Sequence, residues 1–358
     1  MTVVHIIEAL AGGVYSYFKD LSHHFGDRDD IKTVIIYNKK RKEINPDNIK
    51  NEFSQNVTLI NLDMERELNL KQDFIAVFQI RKLLKQIKPD IVHLHSSKAS
   101  IIGRLAAQQI ISRKNIFYTP HGYSFLSSEF SKTKKEVFYQ IEKYTQFLLG
   151  GTTIACGDTE FEIGRKIGKS KLVRNGIDVE NIKKHRTATK ENKLTVGILG
   201  RITQARNPSL FNTIALQNPD YQFLWIGDGE LRSLITAPNI TITGWSLDRD
   251  ETMKNLNRID IYLQTSLWEG LPIALLEAMA LKKPLVATNI IGNKDIIVNN
   301  ETGYLFNDVK EIDQIFKLLE SKENRNRLGE KGFQRCNEIF NNNKNFETLA
   351  SIYRESLK

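Results

Sequence analysis

Two carboxylates, Glu269 and Glu277, bracket a turn and the start of an apolar run in Glu269-Gly-Leu-Pro-Ile-Ala-Leu-Leu-Glu277. Gly270 and Leu271 make the turn. Pro272 suits a first helical position, where no backbone N–H is required. The N–H groups of Ile273 and Ala274 then point out of the helix's positive end, which favours an anion. Glu277 follows these two by four and three residues and shares their helix face, while Glu269 stays in the loop ahead. Such a site suits a ligand with a phosphate in its middle and hydroxyls at both ends. The other reading is an ordinary helix with a surface glutamate at each end.

Other residues with chemical capacity sit after apolar runs. Gly200-Arg201, followed by Arg206-Asn-Pro, places two cations five residues apart in a strand-to-helix loop, where they can flank a diphosphate; two solvated loop arginines are the alternative. Gly12-Gly13 follows the first strand and permits close backbone approach to a phosphate. It lacks the third glycine and the second-strand acid of a dinucleotide fingerprint. Thr119-Pro-His121-Gly122 ends a strand, and the carboxyl ends of parallel strands are where α/β proteins bind ligands. His95-Ser-Ser-Lys98 also ends a strand, and His95, Ser96 and Lys98 either line a second-substrate surface or cap the strand. Asp248-Arg-Asp250 precedes a helix, and Asp248 reads as its N-cap rather than as a metal ligand. No His/Cys/Glu metal cluster is visible, so metal-independent chemistry is expected. The segment Phe125–Phe130, followed by Lys132, Lys134 and Lys135, mixes apolar side chains with cations. It suits either a membrane interface or an amphipathic helix with snorkelling lysines.

The elements that must position these residues alternate between short β-branched runs and amphipathic helical stretches, the pattern of parallel α/β sheets. Strands are expected at 3–7, 33–37, 57–61, 91–95, 115–118 and 153–155. A second series is expected at 194–199, 221–226, 240–243, 259–263 and 285–287. A helix over 74–87 should stop before Pro89. Between the series lie Asn175-Gly-Ile-Asp178 and a Lys-rich stretch to Lys193, read as a hinge region.

A chain of 358 residues, 41% hydrophobic and 26% charged, has room for two globular cores. No apolar run approaches bilayer length. Met1 leads into an apolar strand without a basic start, so no signal peptide is expected and the protein reads as cytoplasmic. Cys156 and Cys336 form neither a disulfide framework nor a metal quartet. The net charge of +9 is uneven: residues 1–175 hold 27 Lys and Arg against 19 Asp and Glu. That half suits an anionic membrane face or lipid phosphate, or simply reflects a Lys-rich composition. Nothing points to sequence-specific nucleic-acid reading.

The segment from Glu269, with Glu277-Ala-Met-Ala, Lys283-Pro-Leu-Val-Ala-Thr and Gly303-Tyr-Leu-Phe, resembles the E-x7-E region of retaining glycosyltransferases of family 4. The resemblance covers nearly the full chain and is most specific from Gly197 to Phe306. It implies the GT-B fold: two Rossmann-like parallel-sheet α/β domains facing a central cleft. Residues 1–177 would form an acceptor-side domain, 178–341 a donor-binding domain, and a helix at about 342–358 would return to the first. It implies catalytic roles for His121, Glu269, Arg201 and Arg206, with Glu269 on the donor sugar, His121 orienting that sugar, and the arginines on the diphosphate. Arg206 departs from the family's usual Lys and adds bidentate geometry. Gly13, Gly200, Gly227 (in Gly227-Asp-Gly-Glu230), Trp245, Gly270, Leu271, Pro272, Ile273, Ala274 and Glu277 would bind the donor. Trp245 either borders the base or packs, and Glu277 would take the ribose hydroxyls. His95, Ser96, Lys98, Tyr123 and Lys132 fall on the acceptor side. The implied partners are a nucleotide sugar, expected to be UDP-linked and N-acetylated or not, a lipid-linked or saccharide acceptor, and an anionic membrane. His121-Gly-Tyr-Ser-Phe125 is similar to capsule and surface polysaccharide transferases. Two other readings remain open, a GT-B nucleotide-sugar epimerase and a non-catalytic nucleotide-sugar or polyanion binder.

Overall fold

The computed structural model describes all residues except 9, 11, 39–48, 50, 65–68, 128–129, 188–192 and 247. Part of the expected hinge stretch, and Ser128 and Glu129 of the apolar–basic segment, therefore lie outside the described residues. The chain divides into two compact units, Met1–Asn175 with Asn342–Lys358, and Gly176–Asn341.

The first unit holds a seven-stranded sheet: β1 Thr2–Ile7, β2 Lys32–Tyr37, β3 Thr58–Asn61, β4 Ile91–His95, β5 Ile116–Thr119, β6 Thr152–Ala155 and β7 Ser170–Leu172. Its order is β3-β2-β1-β4-β5-β6-β7 and every pairing is parallel. The second unit holds a six-stranded parallel sheet of β8 Thr195–Leu199, β9 Gln222–Ile226, β10 Ile240–Ile242, β11 Ile261–Gln264, β12 Leu285–Thr288 and β13 Gly303–Phe306, in the order β10-β9-β8-β11-β12-β13. In both sheets the order reverses beside the first strand, at β1/β4 and at β8/β11. Ligands of doubly wound sheets bind at the carboxyl ends of the strands at this point.

The central strands are buried on both faces, as parallel strands must be when helices cover them. The helix Leu70–Ile87 is capped by Asn69, whose side chain accepts from the Gln72 N–H. It ends at Lys88 in the left-handed region, directly before Pro89. Beyond 341 the chain returns to the first unit. The helix Asn342–Leu357 sends Phe346, Leu349, Ala350, Ile352 and Tyr353 into the core formed by Val3, Ile7, Phe18 and Phe117. Cys156 and Cys336 are buried free thiols. No helix of the described residues is long and apolar enough to cross a membrane.

Because Leu349 is fully buried in the first unit's core, Leu349→Ala should cost about 2–5 kcal/mol of that unit's stability. Chemical denaturation should show an earlier transition, and an unchanged midpoint would mean that the helix contributes little to this core.

Candidate functional site

In the second unit the loop after β11 and the loop after β8 are tied into one knot. Glu269 Oε1 accepts from the Gln264 Nε2–H at 3.0 Å, from the Ser266 hydroxyl at 2.8 Å and from the Arg206 guanidinium. The Thr265 hydroxyl donates to the Arg206 carbonyl at 2.8 Å, and the Leu267 N–H to the Ala205 carbonyl at 2.8 Å. All three side-chain donors fall on one oxygen, which fixes the carboxylate and leaves Oε2 outside these bonds. Sequence reasoning found Glu269 and Arg206 but not Gln264, Ser266 or Gly292. At Gly292, φ is +87°, and a Cβ would stand 2.5 Å from the Gly270 carbonyl oxygen and 2.8 Å from Glu269 Cβ. Only glycine lets this turn close on the knot.

The helix after the knot runs from Ile273 to Ala280 and is buried throughout. Pro272 is its N-cap, not its first helical residue as the sequence suggested. With ψ at +110° Pro272 is extended, and its carbonyl accepts from Leu275 N–H at 3.1 Å and Leu276 N–H at 3.4 Å. Proline has no capping side chain, so the first-turn N–H groups of Ile273 and Ala274 receive none from it. Glu277, three-hundredths exposed at its side chain, forms an ion pair with the half-exposed Arg249, a partner the sequence did not suggest. Asp248 caps the helix Arg249–Arg258, accepting from Asp250 N–H at 2.9 Å, which agrees with its capping reading.

Gly200, Gly227 and Gly244 close the ends of β8, β9 and β10. A Cβ on Gly227, whose φ is +130°, would meet the Gly200 carbonyl oxygen at 2.4 Å, so the two turns pack backbone on backbone. The Trp225 indole donates to that same carbonyl at 2.8 Å. Arg201 lies part-exposed in the loop that follows. Trp245 is 60% exposed, so its ring does not pack in the core.

In the first unit the parallel register gathers histidines that lie far apart in sequence. His5 pairs with His93 and Ile7 with His95 between β1 and β4, and alternation puts His93 and His95 on one face. His121 Nε2 lies 2.9 Å from His95 Nδ1, and His95 Nε2 lies 3.1 Å from His5 Nδ1. His93 hydrogen-bonds the Tyr353 hydroxyl at 2.5 Å and the Thr119 hydroxyl at 2.9 Å, and its ring lies 4.2 Å from that of His95. The nitrogens of His5, His93 and His95 are close enough to suggest a metal cluster. Yet every one of them except His5 Nε2 is already engaged by these bonds.

His121 has a φ of +53°, sparsely populated for a residue with a Cβ. Two contacts hold it there: its bond to His95, and the following Gly122 N–H, which donates to Glu160 Oε1 at 2.9 Å. Glu160 Oε2 takes the Cys156 N–H at 2.6 Å. Glu160 thus ties the turns after β5 and β6, a role invisible in the sequence. Burial pushes the His5 imidazolium down to about 3, and holds His93 and His95 well below the usual histidine value. The part-exposed His121 is pushed down to about 4 by the same desolvation.

Of the residues expected on the acceptor side, His95 and Tyr123 need correction. His95 and Tyr123 are buried, and Tyr123 stacks on Phe125 with ring centroids 4.8 Å apart, so neither reaches the surface. Ser96 caps the helix Ser97–Ala107 and its hydroxyl donates to Glu8 at 3.0 Å. Lys98 is paired with Asp73 at 2.7 Å. Lys132 opens the helix Lys132–Leu149 and is exposed. Gly13 lies at the exposed start of the helix Gly12–Gly26.

Two doubly wound parallel-sheet units in one chain are the building blocks of the GT-B fold of glycosyltransferases. The chain belongs to glycosyltransferase family 4: the family 4 model matches residues 11–181, and the model described as glycosyl transferases group 1 matches residues 179–335. It is 30% identical over 284 residues to the UDP-Gal:alpha-D-GlcNAc-diphosphoundecaprenol alpha-1,3-galactosyltransferase of Escherichia coli, covering 71% of each chain. It is 27% identical to the capsular polysaccharide biosynthesis glycosyltransferase CapM of Staphylococcus aureus, over 83% of this chain and 85% of that one. Solved structures establish the fold. Sucrose-phosphate synthase of Thermosynechococcus elongatus superposes with a TM-score of 0.83 at 16% identity, over 99% of this chain and 98% of that one. Anabaena Alr3699/HepE in complex with UDP-glucose gives 0.77 at 17% identity, over 98% and 100%.

The four histidines are neutral when folded, whereas in the unfolded chain each takes up a proton near pH 6.5. Below that value the unfolded chain holds more protons. The stabilisation is therefore complete above about pH 6.5 and is lost as the pH falls toward the folded values. The unfolding free energy from urea titration should hold steady from about pH 8 to 7 and then drop toward pH 5, by up to about 1.4 kcal/mol per histidine per pH unit. His93→Phe should flatten the slope; an equal slope in the variant would remove His93 from the account.

Proposed function

We propose that this glycosyltransferase moves a sugar from a UDP-sugar to a hydroxyl of a lipid-linked or saccharide acceptor, with retained anomeric configuration, in the assembly of a bacterial surface polysaccharide. The observation that carries this reading is the Arg206–Glu269 knot ahead of the helix Ile273–Ala280. A fixed cation, a fixed carboxylate and first-turn N–H groups match a diphosphate joined to a hydroxyl-rich ring. Support comes from the Escherichia coli and Staphylococcus aureus relatives, whose names specify a UDP-linked donor with a diphosphoundecaprenol-linked acceptor and capsular polysaccharide respectively.

In this reading Arg201 and Arg206 neutralise the diphosphate, with the N–H groups of Ile273 and Ala274 beside it. Glu269 Oε2 accepts from the sugar hydroxyls, Glu277 takes the ribose hydroxyls alongside Arg249, and Trp245 borders the base. The anomeric carbon–oxygen bond to phosphate breaks as the acceptor oxygen bonds the same carbon from the same face. The acceptor proton passes to the departing phosphate oxygen, and UDP leaves. The arginines and the helix end supply the positive charge, so no metal is required.

The helix Lys132–Leu149 suits an anionic membrane. Its basic first turns carry Lys132, Lys134 and Lys135, and Lys134 lies over the Phe130 ring at 4.0 Å. Further along, Val137, Ile141, Tyr144 and Leu148 recur at helical spacing and are exposed, as is Phe147. This face can enter the headgroup region while the lysines meet anionic lipid. Phe125 belongs instead to the core.

In EDTA, UDP at about a hundred times its Kd should stabilise the protein by about 2.7 kcal/mol, with smaller shifts for GDP, ADP, CDP and dTDP. Arg206→Ala should lose the shift, and a shift with none of the five would overturn the donor assignment. Vesicles containing phosphatidylserine should co-sediment the protein and phosphatidylcholine vesicles should not, and Phe147→Asp should reduce the bound fraction. Equal binding of variant and parent would remove this helix as the contact.

A further inference from the structure

The chain His5–His95–His121 runs from a fully buried side chain to the turn at the carboxyl end of β5, and its hydrogen bonding is closed at one end. His5 Nε2 is buried and has no hydrogen-bond partner among the described residues. His121 Nδ1, at the other end, is the nitrogen left for a ligand once Nε2 is held by His95.

We propose that His5 and His95 are positioning residues that hold His121 as a fixed hydrogen-bonding group for an oxygen of the sugar-bearing substrate, and that His121 takes no proton during the reaction. The proposal rests on the glycosyl-transfer reading above and goes beyond it by assigning how His121 acts and what sets it.

Proton counting carries the argument. A neutral imidazole has one N–H, and each of the two nitrogen–nitrogen bonds needs one hydrogen. Three neutral rings satisfy both bonds in only two ways. Either all three carry the proton on Nε2, making His121 Nδ1 an acceptor, or all three carry it on Nδ1, making His121 Nδ1 a donor. Any mixed arrangement leaves one bond with two hydrogens or none. The rings therefore share a tautomer, and one cannot change unless all do.

The closed end prevents that change. Were His121 Nδ1 to take a proton and pass its own inward, the surplus would arrive at His5 Nε2, which has nowhere to send it. The chain would then carry a net charge among groups that do not stabilise it. Those facing it are His93, engaged with Tyr353 and Thr119, and Tyr17, whose ring lies 5.1 Å from that of His121. Phe18 packs edge-on against His95 at 4.7 Å. The carboxylate of Glu160, from the neighbouring helix, is already occupied by the Gly122 and Cys156 N–H groups. Burial accordingly lowers every histidine of the set. An uncharged, locked imidazole in a sparse backbone conformation is suited to orienting a substrate oxygen and unsuited to carrying protons.

The test is long-range proton–nitrogen NMR of the full chain labelled at histidine, with signals assigned through single variants. His5, His95 and His121 should show one common tautomer and should not titrate between about pH 8 and pH 5.5, a range in which a free histidine does. Mixed tautomers, or a His121 titration near 6.5, would overturn the proposal. This arm needs no donor, so its failure is distinct from failure of the glycosyl-transfer reading. His5→Phe keeps a buried ring and removes the bond to His95. Its His121 signals, two side chains away, should move, and hydrolysis of a UDP-sugar without acceptor should slow about tenfold in kcat while the UDP-induced thermal shift stays. A variant that only melts earlier, with His121 signals and kcat unchanged, would reduce His5 to a packing residue and sink the assignment.

Discussion

Parallel strand pairing is the constraint on which the rest depends. Each strand must be followed by a crossover that returns to the same starting edge, so all the carboxyl ends in a sheet come out together. In the second unit this brings the loops after β8 and β11 side by side, and the Glu269 carboxylate ties them. In the first it puts the ends of β1, β4 and β5 in a row, and the histidines at 5, 95 and 121 become neighbours. Chemistry gathers in each unit because the backbone direction has already brought the loops together.

The two sites use polar groups in opposite ways. The knot around Glu269 is made of ionic and neutral donors focused on one oxygen, with its other oxygen outside those bonds. The histidine chain is buried except at His121, its two nitrogen–nitrogen bonds are satisfied internally, and burial opposes charge on every ring. On the reading proposed above, the first would meet changing charge at a diphosphate and the second would give fixed direction. A low-dielectric interior strengthens such a neutral chain and penalises any charge put on it.

Much of the fold was legible because apolar β-branched runs alternate with helical stretches. Eleven strands were expected close to where they occur. β7, Ser-Lys-Leu at 170–172, was missed because three half-exposed residues carry no periodic signal. β13 was seen only as the motif Gly303-Tyr-Leu-Phe. Arg206, Glu269 and Glu277 were legible because local spacing and family likeness mark them. Their partners Gln264, Ser266 and Arg249 were not, since nothing local ties those side chains to a carboxylate in another segment. The histidine chain had one readable trace, the alternation of His93 and His95 on a single strand face. What it lacked was the pairing of β1 with β4, a contact across some ninety positions. Tyr123 misled because a residue beside His121 looks like a site residue, while its strand-end turn points it into the core.

The return of Asn342–Leu357 to the first core has a consequence for how the molecule is made. A ribosome delivers residues in order, so the first unit's sheet emerges early yet must wait for 166 intervening residues before its closing helix arrives. The second unit, continuous from Gly176 to Asn341, can finish folding while its predecessor is still open along the surface that Phe346, Leu349 and Tyr353 later cover. During that interval the nascent chain shows an apolar seam to the cell, which is where chaperone binding or misassociation would concentrate. A premature stop just after Asn341 would leave the later-made half intact and the earlier-made half unfinished.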